Sequence, residues 1–170
     1  MPQNVAPLLV RSGVRPEQIT ELSWWEEAQS AFRVSVQADA GVRSAERTLR
    51  VAAVPASHWS ARTPLDTNKS LWNSYAVQVE AADEPDARLF FCGDSGYSPS
   101  LFQAVGRMYG PFALATIPIG SYEPRWHLSL QHMDPHGSVC VARDVGARTS
   151  FAMHWGTWSM SGTYGAHGRG

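Results

Sequence analysis

Three polar residues each stand directly behind a short apolar run, and their types suit metal chemistry. His58 follows the run at 49–54 through the turn Pro55-Ala56-Ser57, Asp94 follows 89–92 through Gly93, and His154 follows 150–153 and is succeeded by Trp155 and Gly156. In layered α/β folds, sites gather where loops converge at strand C-terminal ends. Two imidazoles and a carboxylate arriving there make a ligand set for zinc or iron. An ionised aspartate between two cations has a further use, since its two oxygens can bridge them. In a two-metal site about 3.5–4 Å across, a bound water is acidified into a nucleophile.

Each piece alone has a plainer reading. A histidine after a strand is commonly structural, and Gly93-Asp94-Ser95-Gly96 read by itself is a turn in which Asp94 bonds local amides. The same four residues resemble the surroundings of some protease serines. A trypsin-like chain, however, needs about twice this length, and placing His58 ahead of Asp94 and Ser95 leaves no separate orienting carboxylate. His132, in Gln131-His132-Met133-Asp134-Pro135, sits just ahead of an expected helix with Asp134 as its N-cap. Arg125, in Tyr122-Glu123-Pro124-Arg125-Trp126, has two readings: a guanidinium clamp for phosphate, or a loop-shaping pair with Glu123, which is favoured. His127, His136 and His167 read as solvated side chains.

The elements that must position these groups are mixed. Residues 32–36 alternate apolar and polar, as a half-buried strand does. Residues 49–54 form a short apolar strand stopped by Pro55, 71–80 a strand rich in Trp, Tyr and Val, and 89–92 a buried strand. Residues 99–109 carry Leu101, Phe102, Val105 and Met108 at helical spacing, ended by Gly110-Pro111. Residues 112–119 are another strand, 135–145 a second helix weakened by about 1 kcal/mol at Gly137, and 150–153 a last strand. Residues 82–86 read as a surface turn and 159–170 as a loose Gly- and Ser-rich tail. Strands alternating with helices in the second half point to α/β or α+β layers.

Composition sets outer bounds. A chain of 170 residues, 44% hydrophobic and 17% charged, is one domain with enough apolar mass for a core. A formal net charge of −1 argues against a general nucleic-acid binder. No apolar run approaches the roughly 18 residues of a membrane span, and no signal peptide is read at the N-terminus. Two cysteines, Cys92 and Cys140, form no disulfide framework. The expected setting is intracellular, cytoplasmic or peripheral to a membrane.

Taken in order, the motifs are more specific. Glu21-Leu22-Ser23-Trp24-Trp25, Ser57-His58-Trp59-Ser60-Ala61-Arg62-Thr63, Asp66-Thr67-Asn68-Lys69-Ser70-Leu71-Trp72 and Phe91-Cys92-Gly93-Asp94-Ser95-Gly96-Tyr97 come first. Tyr109-Gly110-Pro111-Phe112, the 117–126 block ending Tyr122-Glu123-Pro124-Arg125-Trp126, Gln131-His132-Met133-Asp134-Pro135 and His154-Trp155-Gly156-Thr157 follow. Together they resemble the metallo-β-lactamase-fold phospholipases D that hydrolyse N-acylphosphatidylethanolamine, over nearly the whole chain.

That resemblance implies an αββα sandwich with a dinuclear zinc site at its edge. It implies that His58 binds the first zinc, Asp94 bridges both, His154 binds the second, and Gln131 and His132 contact substrate, with Asp94 and His132 the catalytic pair. The family's His-x-His-x-Asp-His motif is absent from the sequence, and Met1 falls downstream of where it is expected. The implied product is therefore the C-terminal portion of the domain, over 1–158, forming a partial sandwich. Three ligands shared between two four-coordinate zincs hold them weakly at most. Ser95 stands where the family has Thr, Ala113 where it has Asp, and His136-Gly137-Ser138 where it has an acidic helix start. The implied substrate is a phospholipid at a membrane surface, with no nucleic-acid partner and with a dimer possible. Two alternatives stand beside this: a non-catalytic remnant that binds through exposed aromatics such as Trp24 and Trp25, and a metallo-hydrolase of non-lipid substrates.

Overall fold

The computed structural model describes residues 1–38, 41–80 and 86–156 of the 170-residue chain. The expected tail at 159–170 and all but Asp86 of the turn at 82–86 lie outside the described residues. A short helix α1 (Ala6–Arg11) opens the chain, its first amides capped by Glu21, whose Oε1 accepts from Val5 N at 2.8 Å and Ala6 N at 2.6 Å. Six strands follow: β1 (Glu27–Ala38), β2 (Gly41–Pro55), β3 (Asn73–Glu80), β4 (Ala87–Phe91), β5 (Leu114–Pro118) and β6 (Ser150–Met153). Helix α2 (Pro99–Tyr109) joins β4 to β5, and α3 (Arg125–Leu128) and α4 (Pro135–Asp144) lie between β5 and β6.

The strands form one mixed sheet in sequence order, antiparallel from β1 to β4 and parallel from β4 to β6. Two successive antiparallel steps return β4 to the direction of β2, and β5 and β6 keep it. The C-terminal ends of β2, β4, β5 and β6 therefore all lie along one edge of the sheet, which is the arrangement the site requires.

Side-chain alternation along each strand sorts the sheet into two faces. The row Ala52, Ala76, Phe90, Ala115 crosses four strands in register, and small neighbours make room for the one large ring. Phe90 is fully buried and packs against Phe102 of α2, with ring centroids 6.2 Å apart, and against Phe112 at 5.5 Å. Phe102 and Val105, one helical turn apart, are the buried residues of α2, and Val141 and Val145 close the layer from α4 and its C-terminus. Each such fully buried large side chain contributes roughly 1.5–3 kcal/mol.

The opposite face differs. Phe91 is 43% exposed and Phe151, on the same face through the register Phe91–Thr116–Phe151, is 62% exposed. The run at 89–92 is thus buried only at alternate positions, Phe90 and Cys92, rather than throughout. Among the described residues there is one β layer and one covering α layer, which is the expected mixed α/β architecture.

The expected strands and helices appear with shifts of a residue or two, but two features go beyond the sequence reading. The segments at 32–36 and 49–54 belong to a long hairpin whose register runs from Glu27–Ala52 to Ala38–Gly41. Gly137 is no weak point in α4, which starts with Asp134 Oδ1 accepting from Gly137 N at 2.8 Å. A Cβ at Gly137 would come within 3.1–3.3 Å of Met133, Tyr97 and Asp134, so glycine is what lets the helix approach those residues.

Candidate metal centre

Each of the four strand ends on the common edge delivers one titratable side chain. His58 comes three residues after β2, Asp94 three after β4, His154 directly after β6, and His132 from the loop between α3 and α4 that follows β5. Asp94 is the hub. Its Oδ2 lies 3.3 Å from His58 Nε2 and 3.4 Å from His154 Nε2, and its Oδ1 lies 2.9 Å from His132 Nδ1. The His132 ring stands edge-on to His58 at 5.4 Å between centroids and is nearly stacked with His154 at 5.6 Å.

The loops are stitched together by main-chain hydrogen bonds. Ser57 N–H donates to Ser95 Oγ at 2.9 Å, Gly96 N–H donates to Ser57 O at 2.9 Å, and Ser57 Oγ–H donates to Leu130 O at 2.6 Å. Met133 N–H donates to Ser95 O at 3.0 Å. Ser95 itself is fully buried, with its hydroxyl donating to Gly96 O at 2.8 Å. That placement makes Ser95 a structural tie and leaves no exposed nucleophile for the protease-like reading.

His58 is pre-aimed. Its Nδ1 bonds the carbonyl of Trp59 at 2.8 Å, and because a carbonyl only accepts, Nδ1 carries a proton and Nε2 is the atom turned to Asp94. A backbone acceptor that fixes tautomer and ring plane is the usual support of a metal-binding imidazole. Trp59 makes a second tie, its indole N–H donating to Gln131 Oε1 at 2.7 Å.

His154 is held differently. It takes a left-handed backbone, φ 57°, which is uncommon for a residue other than glycine. Gly120 opposite has no Cβ, and a methyl there would collide with the carbonyl of His154. His154 is thus placed by backbone packing, and its side chain is 36% exposed against 15% for His132.

The donor set fits a cation. His58 Nε2, Asp94 Oδ1 and His132 Nδ1 are buried, yet none has a partner in hydrogen-bonding geometry, although they face one another at contact distance. Unpaired buried polar atoms are costly, and three converging on one point are relieved by a shared positive ion. One ligand atom from each of these three residues lies within 4.8 Å of the others. Burial pushes the Asp94 carboxyl up, but the imidazoles of His132 and His58 beside it and the charge of His132 and His154 outweigh this and hold it well below the usual carboxylate range. Close contact with Asp94 raises His58 above its ordinary value against the opposing effect of burial.

The structure brings together all three residues singled out behind strands. It also brings His132, expected beside substrate, into the same cluster in direct contact with Asp94. Gln131 lies at the rim with its amide oxygen occupied by Trp59. Ser57, Trp59 and Ser95 as supports carry no signal in spacing or type. His127 and His136 are exposed, His127 lying against Trp126, and His167 lies outside the described residues. Trp24 is no exposed anchor, since its indole donates to Trp72 O at 2.9 Å and its ring meets Trp72 edge-on. Among the described residues, no helix is long and apolar enough to cross a membrane.

Comparison with known proteins identifies the family. A mitochondrial N-acyl-phosphatidylethanolamine-hydrolyzing phospholipase D of Saccharomyces cerevisiae is 33% identical over 165 residues, 96% of this chain and 31% of its own. The corresponding phospholipase D 1 of Caenorhabditis elegans is 37% identical over 145 residues, 85% of this chain and 36% of its own. The chain thus spans about a third of the length of these relatives. Among solved structures, the metallo-beta-lactamase fold protein YhfI of Bacillus subtilis overlaps 64% of this chain and 39% of its own, with 17% identity and a TM-score of 0.42. The model of the beta-lactamase superfamily domain matches residues 2–155, a span that holds all four clustered side chains, and the chain belongs to that family.

Proposed function

We infer that this chain carries metal-binding residues of a zinc-dependent phosphodiester hydrolase of the N-acylphosphatidylethanolamine phospholipase D type. The observation that supports this most is the meeting of three imidazoles around one carboxylate whose two oxygens face different rings. His58, Asp94 and His154 would hold the metal, with His132 beside them. A bound zinc would supply Lewis acidity and a lowered pKa for a coordinated water.

The remaining roles belong to the chain's own side chains. Asp94 stays ionised at neutral pH, so it offsets cationic charge without competing for a proton. His58 keeps its proton on Nδ1 and offers Nε2. Gln131 has its oxygen engaged by Trp59, so its amide N–H groups remain to donate to a phosphoryl oxygen. His132, with Nδ1 turned to Asp94, keeps Nε2 as its other polar atom for orienting the phosphate region. Cleavage on the headgroup side of the phosphodiester yields an N-acylethanolamine and phosphatidic acid.

The test is release of N-acylethanolamine from vesicles containing N-acylphosphatidylethanolamine at saturating zinc, read by mass spectrometry. Weak release at most is expected from this chain, together with zinc binding that is weakened in Asp94→Ala, read by competition with a chromophoric chelator. Release that persists in Asp94→Ala, or no zinc binding by the unaltered chain, contradicts the reading.

One observation favours a second reading, a non-catalytic module that docks on a lipid surface. Trp126, on α3, is 85% exposed, and Trp155, beside His154, is 69% exposed. Tryptophan suits the membrane–water boundary. Vesicle flotation unchanged in a His58→Ala, His154→Ala double variant, without any turnover, selects that reading.

A further inference from the structure

We propose that Arg125 is a positioning residue that holds His132 against Asp94; its consequence for metal affinity rests on the metal-centre reading above. Both main-chain groups of His132 are bound to the α3 segment. Its N–H donates to Leu128 O at 2.8 Å, and its carbonyl accepts from Arg125 Nη1 at 3.0 Å. The same guanidinium places Nε 3.7 Å from Asp134 Oδ2, while Asp134 Oδ1 caps α4. Arg125 N–H in turn donates to Glu123 Oε2 at 3.0 Å.

One guanidinium therefore joins the peptide of His132 to the N-cap of α4, while the main-chain amide of Arg125 holds the Glu123 carboxylate of the preceding loop. A charged donor on a carbonyl is stronger than a neutral one, and a planar fork reaches two acceptors that a lysine point charge cannot serve together. Fixing the carbonyl fixes the backbone from which the His132 ring reaches Asp94. Nη1 is engaged by the His132 carbonyl and Nε faces the Asp134 carboxylate, so Arg125 acts through His132.

The test combines two readouts. In metal-free protein labelled at histidine, the ring-to-ring nuclear Overhauser contact between His132 and His58 is expected in the native chain and lost in Arg125→Ala. Cobalt affinity, followed by its visible absorption, is expected to fall about 10- to 100-fold in Arg125→Ala, the range for groups that orient a ligand. Arg125→Lys, which keeps a cation beside Asp134 and so protects the fold, is expected to fall between. In a His132→Ala background, Arg125→Ala should cause no further loss of affinity. Retention of the ring contact in folded Arg125→Ala overturns the proposal, as does a loss that adds in full to that of His132→Ala. A native chain that shows the ring contact and loses it in Arg125→Ala, yet binds no cobalt, upholds Arg125 as positioning His132 and overturns the metal reading alone.

Discussion

The two sides of the cluster are held by different means. His58, Asp94 and His132 sit on loops cross-tied by Ser57, Ser95 and Trp59, with the His58 tautomer set by a carbonyl. His154 hangs from the last strand of the sheet, placed by a left-handed backbone against Gly120, and among the described residues its ring makes no hydrogen bond. The first side is pre-organised for a ligand. The second adds an imidazole whose ring must still be ordered when a cation arrives, and ordering a side chain costs entropy. The difference predicts unequal contributions from groups of identical chemistry.

The largest effect should come from the residue both sides share. Asp94→Ala is expected to lower zinc affinity by more than about 100-fold, beyond the range that ligand-orienting groups produce, as read by competition with a chromophoric chelator. Next, His58→Ala should weaken binding more than His154→Ala under the same conditions. Equal losses would remove the distinction between a pre-aimed and an unsupported imidazole.

A smaller, graded effect comes from pH. Asp94 raises the His58 pKa above the ordinary 6.5, so protonated His58 stabilises the metal-free fold below pH 6.5. That stabilisation is lost as pH rises through the raised value. Zinc needs the Nε2 lone pair that the proton occupies, so affinity should climb with pH up to that value, by at most about tenfold per unit for one displaced proton. Asp94 adds no step there, because its depressed pKa keeps it ionised throughout. A flat profile from pH 6 to 8 would mean that the metal displaces no proton from His58.

His58, Asp94 and His154 were legible because each follows an apolar run closed by a turn, a local signal. Their convergence was implied only by the resemblance and not by any local signal, because it depends on β2 and β4 pointing the same way after two antiparallel steps. His132 was legible as a residue ahead of a helix and, through the resemblance, as one beside substrate, but its contact with Asp94 was not, since that reach is set by the loop after α3. In the sheet, the run Leu89-Phe90-Phe91-Cys92 carried no alternation, so the sequence did not reveal that one face is covered and the other is not. The hairpin's length was hidden for a related reason: polar residues such as Arg33 and Glu46 pair with each other across the ladder at 3.1 Å and extend the strands without an apolar signature.

The most direct test of the metal centre is X-ray absorption at the zinc edge of the chain in excess over added zinc. Bound zinc with a nitrogen and oxygen first shell and imidazole scattering, diminished in His58→Ala, is the predicted result. A sulfur shell from Cys92 or Cys140, or fully aquated zinc even at pH 8, would contradict it.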